Sequence, residues 1–171
     1  ANREIKSPKD MVGMKYRIPN LPIFEKNARA MGATPVVVAW SEYPFALMQG
    51  VVDGGECSKD SYRSSGLYES AKYVADVDYA YPVEQICFST QFWNSLSEED
   101  QKVISDAAAQ VASHHSERTL DKWEEDKEWL INEGGVTFCD IDRQAFIDAT
   151  EPLGKELQDE GFFTTKDLYD Q

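Results

Sequence analysis

Within its first 55 residues the chain alternates between strand-like and helix-like patterning, and this alternation limits the fold more than any other feature. Ser7 to Gly13 reads as a turn, and Met14 to Ile18 as an alternating strand ended by Pro19. Ile23 to Met31 carries a helical pattern stopped by Gly32. Thr34-Pro35-Val36-Val37-Val38-Ala39 is short and β-branched, as a buried strand is. Ser41 is placed to N-cap a helix through Gln49 with Gly50 at its C′ position, and Val51 to Gly55 is extended again, ending in a glycine turn. Strand, helix, strand, helix, strand is the order of a largely parallel α/β sheet. Ligands of such sheets sit beyond the carboxyl ends of the strands, where Arg17, Trp40 and the Gly54-Gly55-Glu56-Cys57 loop fall.

The second half is more helical. Tyr68 to Tyr81 is aromatic and acidic, read as strand and loop, and Val83 to Ser89 has strand composition. Phe92 to Leu96 reads as a short apolar connector. Ser97 then opens the clearest element, because Glu98, Glu99 and Asp100 place three acids in the positive first turn of a helix. Ile104, Ala108, Val111 and His115, then Leu120, Trp123, Lys127 and Leu130, mark one face at helical spacing. The pattern runs to Asn132, where Gly134-Gly135 stops it, far beyond the usual ~10–14 residues. A helix of that length can span two lobes rather than cover one sheet. Val136 to Cys139 reads as a strand, and Asp142 to Gln158 as a last helix with a kink or break at Pro152.

Composition removes several function classes. The 171 residues suit one domain or one and a half, and 42% hydrophobic residues can form a core. A net charge of −14 disfavours nucleic acid and anionic membrane surfaces, and no basic stripe offsets it. An anionic ligand must therefore be held by a local positive group. No stretch approaches the ~20 apolar residues of a membrane span, and no signal peptide is recognisable. Cys57, Cys87 and Cys139 form no CxxC pair, although a Cys87–Cys139 disulfide is compatible with an oxidising compartment. His114 and His115 are adjacent and so lack the i, i+4 spacing of a metal pair; neither a metal nor a cofactor is expected. Motifs for a nucleophile elbow, a P-loop or a dinucleotide fold are missing from the sequence.

Several segments carry a family pattern. Asp10 to Asn20 (DMVGMKYRIPN) resembles the D-x-x-G-x-K-x-R-x-P segment of TRAP-transporter extracytoplasmic solute-binding proteins of the DctP type. Gly32-Ala33-Thr34-Pro35, then Trp40-Ser41-Glu42-Tyr43, then Ala46 to Gly54 (ALMQGVVDG) follow in register, and Phe92 to Asp100 (FWNSLSEED) is similar to the family's F-W-x-x-L-x-x-E-D helix start. The resemblance covers nearly the whole chain but about half of the family's length. It implies a lobe of the type II periplasmic-binding-protein kind, with a mixed, largely parallel sheet, a long lobe-spanning helix and most of the first lobe missing. On this pattern residues 1–82 form the ligand-anchoring second lobe. Residues 83–122 form a hinge strand and the helix reaching toward the first lobe, and residues 123–171 return to the second lobe with a C-terminal helix. It also implies a periplasmic receptor, not an enzyme, whose signal peptide and first lobe are not in this chain.

The resemblance assigns roles one residue at a time. Arg17 matches the arginine that pairs with the ligand carboxylate, and a guanidinium fork suits a carboxylate on physical grounds alone. The plain alternative for Arg17 is a salt bridge to one of the chain's many acids. Asn20 matches a position that helps bind ligand, and Trp40 an aromatic wall to which Tyr62, Tyr79 and Tyr81 can add. The departure is at Gly54-Gly55-Glu56-Cys57, where the family reads G-Q-E-N after V-D. Cys57 replaces an amide donor by a poorer thiol, and Gly55 in place of glutamine leaves room. The expected solute is a small organic carboxylate with an apolar or aromatic body against Trp40, delivered to the membrane subunits of a TRAP transporter. Two rival readings are an enzyme of hydrolase or lyase type using Glu56 and Cys57, and a domain-swapped assembly or homodimer formed through an exposed inter-lobe surface.

Overall fold

The computed structural model describes residues 1–78, 80 and 85–163. After a short helix α1 (Pro8–Met11), strand β1 (Lys15–Ile18) pairs in parallel with β2 (Thr34–Val37) on one side and β3 (Gly54–Gly55) on the other. Helix α2 (Pro22–Ala30) makes the first crossover and α3 (Tyr43–Met48) the second. The expected strand–helix alternation is thus the observed one. Trp40–Glu42 forms a 3₁₀ turn between Ala39 and α3, so Trp40 leaves the sheet instead of extending it.

After α4 (Lys59–Ser64), β4 (Tyr73–Val74) pairs in parallel with β5 (Thr137–Phe138). Ala1 and Asn2 join this pair to the first sheet. Ala1 and Tyr73 exchange both backbone hydrogen bonds, at 2.7 and 3.0 Å, and the Asn2 N–H donates to the Asp53 carbonyl at 2.8 Å. Such a reciprocal exchange has the antiparallel pattern, whereas every strand pairing among the described residues is parallel.

Side chains alternate across β1. Met14 and Ile18 enter a core with Ile5, Met31 and Phe146, while Arg17 faces Tyr43, which belongs to a second core with Tyr62, Leu67, Trp123 and Leu130. Helix α5 (Thr90–Ser95) replaces the connector expected at 92–96, capped by Ser89, whose hydroxyl accepts from the Phe92 N–H. Tyr79, Tyr81 and Val83 lie outside the described residues, and 85–89 form no strand.

Helix α6 (Glu98–Asn132) has the bounds the sequence indicates: Ser97 caps it, with its hydroxyl accepting from the Asp100 N–H at 3.1 Å. Its 35 residues extend about 52 Å. Only the C-terminal part is buried in the body. Trp123, Asp126 and Leu130 are at most 7% exposed, while Val103, Val111 and Leu120 are at least 57% exposed. The expected single apolar face is therefore not one continuous buried stripe. Asp126 is held by Arg63 and Lys122, which together outweigh burial and keep its carboxyl below the ordinary range. The helix stops because Gly135 takes a left-handed φ of 64° and a Cβ on Gly134 would lie 2.8 Å from the Leu130 carbonyl oxygen.

Helix α7 (Arg143–Asp159) covers the helix read over Asp142 to Gln158 and runs through Pro152, so of the kink or break read there the break does not occur. Pro152 and Asp148 are exposed, so water can satisfy the carbonyl that the proline leaves without its donor. The three cysteines are free, so the Cys87–Cys139 bridge is not formed. Among the described residues, no helix is long and apolar enough to cross a membrane.

Candidate functional site

The parallel order β2-β1-β3 brings three carboxyl ends to one edge. Arg17 lies beside Gly55 in the ladder, Val38 to Trp40 follow β2, and Glu56 and Cys57 follow β3. These are the residues that the sequence placed together, and the fold gathers them.

Arg17 is 4% exposed despite its charge. A buried guanidinium is tolerated only when its charge and its donors are matched. Its Nε donates to the Val38 carbonyl at 3.0 Å, and its Nη1 donates to Glu56 Oε1 at 2.7 Å. The Trp40 and Tyr43 rings lie 5.4 and 5.2 Å from its Cζ, within cation–π range. The salt-bridge alternative for Arg17 is thus realised, with Glu56 as the partner, but in a partly enclosed site instead of at the surface. Burial pushes the Glu56 carboxyl above its usual range, against the pull of Arg17.

Among the described residues, Nη2 of Arg17 has no hydrogen-bond partner. No fully buried side-chain nitrogen or oxygen among them lacks one, so Nη2 touches accessible space. A cavity of about 660 Å³ adjoins the cluster, and Trp40, Tyr43, Gly55, Glu56 and Cys57 form part of its wall.

The other expected residues behave differently. Trp40 is 41% exposed, so one face is available to a guest. Asn20 is exposed beyond the end of β1, and its side chain makes no hydrogen bond among the described residues. Tyr62 is buried and donates to the Ala71 carbonyl, which fits a core role better than a wall role. Tyr79 is outside the described residues. The room expected from Gly55 is taken: a Cβ there would lie 2.7 Å from the Tyr43 hydroxyl oxygen and 2.7 Å from Arg17 Cβ. Tyr43 is the residue that sequence reasoning missed, although a glycine where the pattern has glutamine signals that a neighbour fills the volume.

Burial pushes the Cys57 thiol up to about 12. The thiolate fraction at pH 8 is then on the order of 10⁻⁴, which makes Cys57 a poor nucleophile in the folded chain. Exposed Cys87 is expected to react with iodoacetamide at least about 100-fold faster than Cys57 at pH 8, as read by peptide mass spectrometry, until denaturant opens the fold.

Two-lobed receptors built on parallel sheets hold their ligands at such an edge. The model of the bacterial extracellular solute-binding proteins, family 7, matches residues 1–160, and the chain belongs to that family. It is 34% identical over 146 residues to a solute-binding protein of Roseobacter denitrificans, covering 85% of this chain and 45% of that protein. It is 29% identical over 158 residues to the sialic acid-binding periplasmic protein of Vibrio cholerae, covering 92% of this chain and 49% of that protein. A crystal structure of a TRAP periplasmic solute-binding protein from Fusobacterium, with bound sn-glycerol-3-phosphate, superposes with a TM-score of 0.86 at 31% identity. That match covers 99% of this chain and 54% of the other. The chain spans about half the length of the curated relatives it matches.

Proposed function

We propose that this chain is the anion-holding part of a non-catalytic receptor for a small organic acid, which the receptor hands to a TRAP-type secondary transporter in the periplasm. The observation that carries this reading is that Arg17 already grips a carboxylate. Glu56 occupies Nη1 at 2.7 Å, while Nη2, beside Trp40, is unpaired among the described residues. An incoming acid group would take Nη2 and lay a flat or apolar face on the exposed side of Trp40. Relatives support the ligand class: their names and bound molecules include sialic acid, C4-dicarboxylates, galacturonate and L-fuconate.

Residues 1–82 and 123–171 would then act as the ligand-anchoring lobe, with 83–122 carrying the connection toward a second lobe. The exposed Val103 and Val111 on α6 suit a surface that another lobe covers. Closure of two lobes on the acid would be a shift toward a closed state that the ligand favours. An enzyme using Glu56 and Cys57 has less support, because the neutral, partly buried thiol is a weak nucleophile.

Acid and neutral partners of one sugar test the class. D-Galacturonate is expected to raise the thermal unfolding midpoint of the chain in a concentration-dependent way, and D-galactose is not. Equal shifts from both, or none from a panel of organic acids, would count against an anion-selective site.

A further inference from the structure

One donor at the wall of the cavity has no partner among the described residues. Tyr43 opens α3 and is 2% exposed, with its ring against Arg17 and 5.9 Å from the Trp40 ring. Packing accounts for the ring but not for the hydroxyl. A tyrosine hydroxyl in a core normally finds a partner, as that of Tyr62 does at the Ala71 carbonyl. Among the described residues, the Tyr43 hydroxyl has none. It is not sealed off either, since no fully buried polar side-chain atom among them is unpaired, and Tyr43 contributes to the cavity wall.

Its position is fixed by Gly55. A Cβ on residue 55 would come within 2.7 Å of the Tyr43 oxygen, 2.7 Å of Arg17 Cβ and 2.9 Å of the Arg17 carbonyl oxygen. The hydroxyl therefore stands in the space that a side chain at 55 would fill, on the side of Arg17 Cβ, while its ring lies 5.2 Å from the guanidinium carbon. Burial holds its pKa well above the ordinary value, so it keeps its proton and can only gain by meeting an anionic acceptor.

We propose that the Tyr43 hydroxyl is a second donor of the acid site, binding an oxygen of the guest's carboxylate alongside Arg17 Nη2, and that Gly55 is the residue that admits it. This rests on Arg17 as the anchor. It supplies by a phenol the polar contact that a neutral Cys57 thiol supplies poorly. A hydroxyl–carboxylate bond is short, about 2.6 Å, and stronger than a neutral pair.

The test is an NMR titration of the 171-residue chain with D-galacturonate, following the Arg17 Nε–H resonance in the parent, Tyr43→Phe, Gly55→Ala and the double variant. Tyr43→Phe keeps the ring over Arg17 and removes one oxygen. It is expected to leave the unfolding midpoint within about 2 °C of the parent and to weaken galacturonate about tenfold. Gly55→Ala, which also presses on Arg17, is expected to weaken binding as well, and to cost less in the Tyr43→Phe background than in the parent, because the part of its effect that runs through the hydroxyl is then already gone. Equal affinity in the parent and Tyr43→Phe overturns the role of Tyr43 while leaving the anchor intact. Strictly additive losses overturn the role given to Gly55. No movement of the Arg17 resonance in the parent up to about 50 mM acid removes the anchor, and this proposal with it.

Discussion

Replacing Leu130 by alanine is expected to lower the stability of the chain by about 3–4 kcal/mol, whereas the same replacement at Leu120 changes it by less than about 0.5 kcal/mol. Both leucines lie on α6, and intrinsic helix propensity treats them alike. Their surroundings differ. Leu130 is 0% exposed in a core with Trp123, Tyr62 and Val136, and truncation there leaves a cavity that surrounding side chains fill only in part. Leu120 is 71% exposed, so its truncation removes little burial. Denaturant unfolding of the two variants checks the contrast. Equal losses would mean that the N-terminal part of α6 packs on this chain, and the helix would then not be free to meet another lobe.

Replacing Glu56 by alanine is expected to cost about 2–4 kcal/mol. The variant leaves Arg17, 4% exposed, with the Val38 carbonyl as its remaining hydrogen-bond partner and no counter-charge in contact. The figure sits below the full penalty for breaking a buried pair because the Glu56 side chain is 18% exposed and water can enter where it stood. Glu56→Gln keeps an acceptor for Nη1 and is expected to cost about 1 kcal/mol. In Glu56→Ala an added carboxylate, with succinate as the probe, is expected to restore part of the lost stability by taking the vacated place. Chloride at matched ionic strength is expected to restore less, since it lacks the two-oxygen fork. If Glu56→Ala unfolds like the parent and ignores succinate, Arg17 is not a carboxylate site.

Much of the fold was legible because its signals are local. Pro19, Gly32 and Gly50 punctuate β1, α2 and α3, and Ser97 with three acids and Gly134-Gly135 bracket α6. The 3₁₀ turn at Trp40 was not legible, since Ser41 reads as the N-cap of one helix through Gln49 until the backbone hydrogen bond from Glu42 to Ala39 is seen. Pro152 left a kink and a break both open in the sequence, because a proline's effect depends on whether water reaches the carbonyl it orphans. At the site, Arg17, Trp40, Gly55, Glu56 and Cys57 were each singled out, but the bond between Arg17 and Glu56 joins residues 39 apart and is invisible to local pattern. Tyr43 escaped for the same reason. Its hydroxyl meets Gly55 across the fold, and in sequence it is an aromatic at a helix start.

The central claim, that Arg17 holds the acid group of the guest, is tested most directly by the affinity of an Arg17→Ala/Glu56→Gln double variant for D-galacturonate. Removing both charges together leaves no unpaired ion to unfold the site. With Glu56→Gln alone as the reference, isothermal titration is expected to show a loss of at least about tenfold, the equivalent of the one charge-assisted hydrogen bond that Nη2 donates. An affinity within about threefold of that reference would contradict the account.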